Sequence, residues 1–395
     1  MAFSDIWQVL KGETGHGVPG TIIRHLCTDS RLVNFPSESL FIALVTTRRN
    51  GHRFIADVYQ KGGRFFLVSE SYNAHEFPDA FFLKVTDTLG ALQKLSATYR
   101  QRFQIPVIGI TGSNGKTIVK EWLYQMLWTD KQVCRSPRSY NSQIGVPLSV
   151  WQLAPQHELA IFEAGISTTG EMDALQRIIR PSIGIFTNLG AAHDDGFIDR
   201  KEKLDEKWKL FVDCNTIICH TDDETIHEKC RNTKGITMIS WGQRDDATYR
   251  LAGRKDNDGK TMIQLIREGT MLQLQLPFTD DASVENALHC AITCLHFGMD
   301  LSVLNHRLQG LHALPMRLEW KKGWHQSLLL NDSYSHDINS LEIALDQLAQ
   351  QAGPSKRIAI LSGLPGVEDE HTYLRMAALL SRNKISMLAG VGAEI

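Results

Sequence analysis

The chain has 395 residues, of which 43% are hydrophobic and 22% are charged. A single hydrophobic core seldom grows beyond about 250 to 300 residues, so this length predicts two or three domains. The 42 basic and 44 acidic side chains nearly balance. This balance gives no global electrostatic reason to expect a nucleic acid or a membrane surface as a partner.

The N-terminal sequence and the spacing of the cysteines both bear on the cellular compartment. The N-terminus lacks the basic start and apolar stretch of a secretory signal, and no apolar run reaches membrane-spanning length. The seven cysteines are scattered without C-x-x-C spacing, which is typical of reduced thiols. We therefore expect a cytoplasmic protein without membrane insertion.

One cysteine and histidine cluster needs separate attention, the segment CHTDDETIHEKC. Four of its side chains could in principle hold zinc: Cys219, His220, His227 and Cys230. Their spacing fits no common zinc finger. A strand end followed by an exposed helix explains the segment more simply, and we favour that interpretation.

The first part of the chain has the pattern of a small α/β unit. Between Cys27 and Ser69, short apolar runs such as LFIAL and RFFLVS alternate with turn signals and a helix-like segment. The segment DTLGALQKLSATYRQRF then predicts an amphipathic helix that ends before Pro106. We place a domain boundary near residue 101, which gives a first domain over residues 1–100.

A second unit begins at PVIGI and continues through LAIFEAGI, SIGIFTNL, NTIICHT and GITMISWG. Apolar strands alternating with helices predict a doubly wound, mostly parallel sheet covered on both faces. Such sheets bind ligands beyond the carboxyl ends of their strands. Alternation around DNDG predicts an antiparallel meander added to this sheet. The predicted central domain spans residues 101–311.

The third unit covers residues 312–395. Its strand candidates SLLLNDSY, RIAILSGL and ISMLAGVG alternate with helical segments, which predicts a parallel sheet of three strands. A sheet that stops there leaves an open edge. We therefore expect the chain to be a fragment of something longer, or its last domain to be unusually small.

The segment GITGSNGKTIVKEW joins a predicted strand to a predicted helix through a turn of small residues. Backbone N–H groups at such a helix start bind anions. Lys116 would place a charge on the outer phosphates of a nucleotide, and Thr117 offers a hydroxyl to a magnesium ion. The strict phosphate-loop pattern would have glycine where Ile110 stands, so this loop has a different construction.

Two further polar residues follow buried strands. Glu163 ends the strand of FEAGIS, a costly place for a carboxylate unless a cation or donor accompanies it. His193 lies just beyond the strand of SIGIFTNL. Near a phosphate loop, these two groups suit a metal held between protein and nucleotide.

The motif TGSNGKT resembles the T-G-x-x-G-K-T/S loop of the Mur ligases and folylpolyglutamate synthetases, in which the spacing at Ile110 is normal. CTDSRLVNFPSESLFIAL resembles the first domain of the ligases that use a UDP-muramoyl peptide, although Asn50 stands where they usually have aspartate. SYNSQIGVPLSVWQL and NDSY resemble the family members that add D-alanyl-D-alanine.

The resemblance implies a three-domain α/β fold. It has a small α/β UDP-substrate domain, a central phosphate-loop domain with a doubly wound, mostly parallel sheet, and a Rossmann-like C-terminal domain that is incomplete here. It also implies an ATP-dependent amide ligase that uses Mg2+. The substrates would be a UDP-muramoyl tripeptide and D-alanyl-D-alanine, joined through an acyl phosphate during peptidoglycan precursor synthesis. We expect a monomer.

The resemblance also assigns site residues in four groups. The catalytic group is Lys116, Glu163, His193 and Lys207. The nucleotide group is Thr111, Gly112, Ser113, Asn114, Gly115, Lys116, Thr117, Asn286, Arg317 and Asp332. The substrate group is Asp29, Ser30, Arg31 and Asn141. The magnesium group is Thr117, Glu163, His193 and Lys207.

Several of these positions have plainer interpretations. Lys207 matches a family lysine that is typically carbamylated, yet with Lys201, Lys203 and Lys209 it has the pattern of a solvated helix face. Asp29 could cap a turn and Arg31 could pair with an acid, and Asp332 could cap a strand end. The chain also departs from the family at four positions: Ala282, Ser283, Ser335 and His336.

Two other functions stay open at this point. The chain could be another ligase of the family, adding a diamino acid or glutamate, or a nucleotide-binding protein with a degenerate site. Some family members run on into an alanine racemase. If this chain is a fragment of such a protein, we expect it to be poorly active alone.

Overall fold

The computed structural model describes residues 1–14, 18–46, 50–72, 75–190, 196–335, 338–353, 355–363 and 370–392. None of the helices within these ranges is long and apolar enough to cross a membrane. The described strands form four sheets.

The first sheet has five strands in the order β1-β5-β4-β3-β2. Strands β2 to β5 are parallel, and the short β1 is antiparallel to β5. Every residue of β3 and β4 is buried, because helices and loops cover both faces. The elements are α1 (Phe3–Leu10), β1 (Glu13–Thr14), β2 (His25–Cys27), β3 (Ser39–Ile42), α2 (Ile55–Gln60), β4 (Phe65–Val68), β5 (Phe81–Lys84) and α3 (Thr88–Arg100).

The second sheet has nine strands in the order β14-β13-β12-β11-β10-β9-β6-β8-β7. All pairs from β7 to β12 are parallel, and β12, β13 and β14 form an antiparallel meander. The strands are β6 (Val107–Thr111), β7 (Val133–Arg135), β8 (Leu159–Glu163), β9 (Ile183–Phe186), β10 (Thr216–His220), β11 (Thr237–Gly242), β12 (Tyr249–Asn257), β13 (Lys260–Arg267) and β14 (Thr270–Leu276). The predicted doubly wound, mostly parallel sheet with an added meander is confirmed.

Helices cover both faces of this sheet. They are α4 (Lys116–Leu127), α5 (Gly145–Val150), α6 (Glu171–Ile179), α7 (Arg200–Trp208), α8 (Glu224–Asn232), α9 (Asp281–His296) and α10 (Leu301–Gln309). Successive side chains of a strand point to opposite faces. Accordingly, Ile108 of β6 packs into the core beneath α4 and α9, whereas its neighbour Val107 packs into the core on the α5 and α6 side.

The last part of the chain differs from its prediction. Its elements are β15 (Glu319–Lys322), β16 (Leu328–Asn331), α11 (Ile338–Ala352), β17 (Ile358–Ser362), α12 (Glu370–Arg382) and β18 (Met387–Val391). Within the described ranges, β16 pairs with β15 as an antiparallel hairpin, and only β17 and β18 pair in parallel. The predicted parallel sheet of three strands is therefore wrong, because β16 forms its backbone hydrogen bonds with β15, to which the short link over residues 323–327 joins it, and not with β17.

The predicted boundaries near residues 101 and 312 fall between these groups of elements. The first sheet and α3 end at Arg100, the second sheet and its helices end at Gln309, and β15 begins at Glu319. The division into domains over 1–100, 101–311 and 312–395 stays a prediction.

Leu123 tests the core that supports α4. Its side chain is fully buried between the sheet and α9. We expect Leu123→Ala to lower the free energy of unfolding by about 2 to 5 kcal/mol, since it removes buried methyl groups and leaves a cavity. Thermal unfolding would measure the loss. Leu374→Ala is the matched control, because Leu374 lies on α12 with most of its side chain exposed; an equal loss in both variants would contradict the assignment.

Candidate functional site

The predicted phosphate loop lies between β6 and α4. Gly112 has a φ of 142° and Gly115 a φ of 81°, both in the left-handed region that favours glycine. A Cβ on Gly112 would lie 2.0 Å from Thr187 Oγ1, so no larger residue fits there. The Thr111 hydroxyl donates to the Ala164 carbonyl and ties the end of β6 to the residue after β8. The loop is thus held from both neighbouring strands.

Residues after β9 hold the middle of the loop. The Asn188 carbonyl accepts from the Ser113 amide at 2.9 Å, and Asn188 Oδ1 accepts from the Asn114 amide at 3.0 Å. The Thr187 hydroxyl donates to the Asn114 carbonyl at 2.6 Å. Sequence reasoning missed Thr187 and Asn188, although their position at the carboxyl end of a parallel strand is the available signal.

The lysine of the loop reaches back over it. Lys116 Nζ donates to the carbonyls of Gly112 at 2.8 Å and Ser113 at 2.7 Å. This places a positive charge above the loop, where the first N–H groups of α4 also have no partner within the helix. Together they make an electropositive cradle suited to phosphate.

Oxygen atoms converge beside this cradle. Glu163, at the end of β8, is fully buried. The Thr117 hydroxyl donates to Glu163 Oε2 at 2.8 Å and also lies 2.9 Å from the Ser139 hydroxyl. Carboxylate and hydroxyl oxygens are the ligands that Mg2+ prefers, so Thr117 and Glu163 fit a magnesium ion. Of the other two predicted ligands, His193 lies outside the described residues, and Lys207 belongs to α7.

A second lysine of α4 faces the same carboxylate, and sequence reasoning missed it. Lys120 is fully buried, one turn after Lys116. Its Nζ donates to Glu163 Oε1 at 3.3 Å, to the Ser136 carbonyl at 2.7 Å and to the Arg138 carbonyl. It therefore balances the charge of Glu163 and leaves Oε2 to face Thr117. The signal was a lysine on the apolar face of an amphipathic helix.

Two lysines of α7 are not on a solvated face, although the local pattern predicts one; of the lysines on this helix, only Lys201 is exposed. Lys203 and Lys207 are both buried, and Lys203 Nζ donates to the Gly190 carbonyl at 2.6 Å. Burial, with the nearby positive charges of Lys116 and Lys203, lowers the pKa of Lys207 well below its ordinary value. The local pattern failed because alternating acids and lysines do not reveal which face a neighbouring loop covers.

The loop forms one wall of a cleft of about 300 Å³. Asn286 of α9 lies against Gly115, whose Cβ would come 2.2 Å from Asn286 Oδ1. Asn141 also lines the cleft. Ala282, one of the positions at which the chain departs from the family pattern, borders the cleft too.

The opposite wall comes from the last part of the chain. Arg317 Nη2 donates to the Ser139 hydroxyl at 2.8 Å, and its guanidinium lies 4.5 Å from the centre of the Tyr334 ring. Asp332 lines the cleft and accepts from the Leu318 amide at 3.1 Å. It also accepts from the Ser335 hydroxyl at 2.9 Å, so the turn-capping interpretation holds for it as well. His336 lies outside the described residues.

The predicted substrate residues Asp29, Ser30 and Arg31 are not part of this cleft. Asp29 caps a short turn by accepting from the Arg31 amide at 3.0 Å, and it pairs with the Arg31 guanidinium at 2.6 Å. Ser30 is buried, and its carbonyl accepts from Lys61 Nζ. Their local geometry is the turn cap and ion pair that the residues alone suggest.

The zinc alternative for CHTDDETIHEKC finds no support. Cys219 and Cys230 lie 3.1 Å apart, sulfur to sulfur, whereas His220 faces Asp222 and His227 faces Asp246. In the part of the chain that the structure describes, no three histidine, cysteine or acidic side chains are grouped to hold a metal ion.

Lys120→Met tests the charge balance at Glu163. We expect it to lower the free energy of unfolding by about 3 to 5 kcal/mol, because a carboxylate is left buried without its cation. In a Glu163→Gln background the same change should cost less, since a neutral amide needs no counter-ion. Thermal unfolding of the four-protein cycle measures this difference. Lys94→Met, at an exposed position of α3, is the matched control; equal costs in both backgrounds would contradict the pairing.

Comparison with known proteins agrees with this geometry. The Mur ligase middle domain family matches residues 110–294. The UDP-N-acetylmuramoyl-tripeptide--D-alanyl-D-alanine ligase of Synechocystis sp. is 31% identical over 351 residues, which cover 88% of this chain and 74% of that protein.

Solved structures share the architecture. The crystal structure of MurF from Acinetobacter baumannii has a TM-score of 0.85 and 24% identity, covering 99% of this chain and 85% of that one. The MurF ligase of Thermotoga maritima in complex with ADP has a TM-score of 0.78 and 20% identity, covering 95% and 86%. The predicted three-domain α/β fold is thereby confirmed. With a relative this similar over most of both sequences, the chain belongs to the Mur ligase family.

Proposed function

We propose that this protein is an ATP-dependent amide ligase that adds D-alanyl-D-alanine to UDP-N-acetylmuramoyl-tripeptide during peptidoglycan precursor synthesis. The similarity over most of its length to a ligase of that name supports the substrates. One observation carries the chemistry: the Thr117 hydroxyl and the buried Glu163 carboxylate meet at 2.8 Å beside the lysine of the phosphate loop. ATP and Mg2+ are the cofactors.

In the first step, a carboxylate oxygen of the tripeptide attacks the γ-phosphorus of ATP. The bond from that phosphorus to the bridging oxygen breaks, and ADP leaves with its electron pair, which gives an acyl phosphate. Negative charge builds up on the transferred group, so catalysis requires mainly positioning and charge neutralisation. Lys116 and the N–H groups at the start of α4 supply both, because they are already fixed around the loop.

Thr117, Glu163, His193 and Lys207 would hold the magnesium ion. When bound, the ion neutralises charge on the phosphate oxygens. Among these residues, Glu163 is kept in place by Lys120, which occupies its other oxygen. Lys207 can take part as an anion once carbon dioxide has added to its neutral amine.

In the second step, the amine of D-alanyl-D-alanine attacks the acyl carbon, an amide bond forms, and inorganic phosphate leaves while the amine loses a proton. An acyl phosphate reacts with water, so the site must be covered while it persists. Arg317 and Asp332 support this role, since the last part of the chain forms a wall of the cleft through them. We assign both residues to the phosphates and ribose.

The other predicted residues divide between the two substrates. Asn286 lies against the phosphate loop and is assigned to the nucleotide base. Asn141, at the cleft, is assigned to the peptide substrate, and the turn of Asp29, Ser30 and Arg31 to the uridine nucleotide of the same substrate. We place the reaction in the cytoplasm, where ATP is abundant, and propose that the chain acts as a monomer.

The substrate assignment is tested by phosphate release. With ATP, Mg2+, UDP-N-acetylmuramoyl-tripeptide and D-alanyl-D-alanine together, we expect one ADP and one phosphate for each amide formed, because the acyl phosphate couples the two steps. Omitting D-alanyl-D-alanine should abolish sustained release. Product formation with a diamino acid or with folate and glutamate, but not with D-alanyl-D-alanine, would overturn the proposal.

The role of Lys207 gives a separate test. Lowering the pKa of a buried amine increases the fraction that is neutral, and a neutral amine can attack carbon dioxide, forming an N–C bond and releasing one proton. We expect Lys207→Ala to reduce kcat about 100-fold, since an ion ligand is lost. Removing carbon dioxide from the buffer should slow the unaltered enzyme, and bicarbonate should restore its rate.

Lys201→Ala is the matched control for this test, because Lys201 lies on the same helix with its side chain exposed. It should keep both the rate and the response to bicarbonate. An unaltered enzyme with equal rates with and without carbon dioxide would contradict carbamate formation.

A further inference from the structure

Helix α9 contacts the phosphate loop at two levels. Asn286 lies directly against Gly115, and His289, one turn later on the same helix face, reaches the loop through Thr187. His289 is fully buried between α9 and the ends of β9 and β11. The reaction steps described above make no use of this imidazole.

The hydrogen bonds of His289 fix which ring nitrogen carries the proton. The indole N–H of Trp241 lies 3.3 Å from His289 Nδ1, and an indole nitrogen can only donate. Nδ1 must therefore accept, so Nε2 carries the hydrogen and donates it to the Thr187 carbonyl at 3.0 Å. Burial agrees with this neutral form, because it lowers the pKa of His289 to about 4.

Thr187 passes this constraint to the loop. Its hydroxyl donates to the Asn114 carbonyl at 2.6 Å, and its amide donates to the Thr111 carbonyl at 2.9 Å. The next residue, Asn188, holds the amides of Ser113 and Asn114. A displacement of Thr187 would therefore shift the backbone that surrounds the phosphates.

We infer that His289 is a positioning residue for the phosphate loop: its imidazole fixes Thr187, and Thr187 fixes Asn114 in the conformation that receives the nucleotide. The inference rests on the proposed function in that the bound nucleotide is ATP. It concerns ATP affinity and leaves recognition of D-alanyl-D-alanine unaffected, because His289 does not line the cleft.

The test uses a pair of substitutions at His289 in the full chain. His289→Leu keeps an apolar side chain but removes both hydrogen bonds, whereas His289→Gln offers an amide N–H and an amide oxygen in their place. We expect His289→Leu to weaken binding of ATP about tenfold, because the Thr187 carbonyl loses the buried N–H group that donates to it. The KM for D-alanyl-D-alanine should stay within about twofold, and His289→Gln should recover most of the ATP affinity.

Thr293→Val provides the matched control. Thr293 lies one turn further along α9, is fully buried, and its hydroxyl donates to the His289 carbonyl at 2.7 Å. Its loss should lower the melting temperature without changing ATP affinity. If His289→Leu lowers the melting temperature but binds ATP as Thr293→Val does, the positioning role is wrong.

Two further outcomes keep the test decisive. If His289→Leu does not fold, Trp241→Phe removes the donor that fixes the imidazole and should weaken ATP binding by a smaller factor, about threefold; unchanged affinity would overturn the inference. ATP binding is measured directly by calorimetry, apart from ligation. Failure of the unaltered chain to bind ATP would reject the proposed function, whereas normal binding in both it and His289→Leu would reject only the role of His289.

Discussion

The geometry of the site depends on the buried ion pair between Lys120 and Glu163. Glu163 ends β8, which lies between β6 and β7 in the central sheet, and its side chain is fully buried. A carboxylate there requires a cation, and Lys120 supplies it from α4. The same ammonium holds the carbonyls of Ser136 and Arg138, and so positions the segment that leads to Ser139. The Lys120 ammonium thus fixes the positions of the end of β8 and of the segment that leads to Ser139, relative to α4.

The sequence predicted the central sheet well because its strands are apolar on both faces. In β6 and β8, every residue is buried, and such runs leave few alternative structures. The phosphate loop was equally visible, since Gly112 and Gly115 adopt backbone conformations that other residues avoid. The hairpin of β15 and β16 was missed because an apolar run does not indicate which strand it pairs with. The five-residue link between the two strands is the feature that indicates an antiparallel pair.

Charged residues were the least predictable part of the site. Lys120, Lys203 and Lys207 are all buried, yet Lys203 and Lys207 stand in a segment with acidic neighbours that is typical of a solvent-facing helix. Whether such a lysine is covered depends on loops that are distant in sequence, such as the one contributing the Gly190 carbonyl. A single sequence shows that a residue is charged, but it does not show which distant segment buries that residue in the fold. For Lys207, resemblance to the family supplied what the local pattern did not.

Arg317 links the last part of the chain to the nucleotide loop. Its guanidinium donates to the hydroxyl of Ser139 and lies 3.4 Å from that of Thr117. A ligand that binds the Thr117 hydroxyl oxygen competes with this contact. The free energy of nucleotide binding is therefore coupled to the position of the last part of the chain. Thermodynamic linkage makes this relation reciprocal. A second ligand that favours one position of Arg317 changes the affinity for the nucleotide by some factor. The nucleotide then changes the affinity for that second ligand by the same factor.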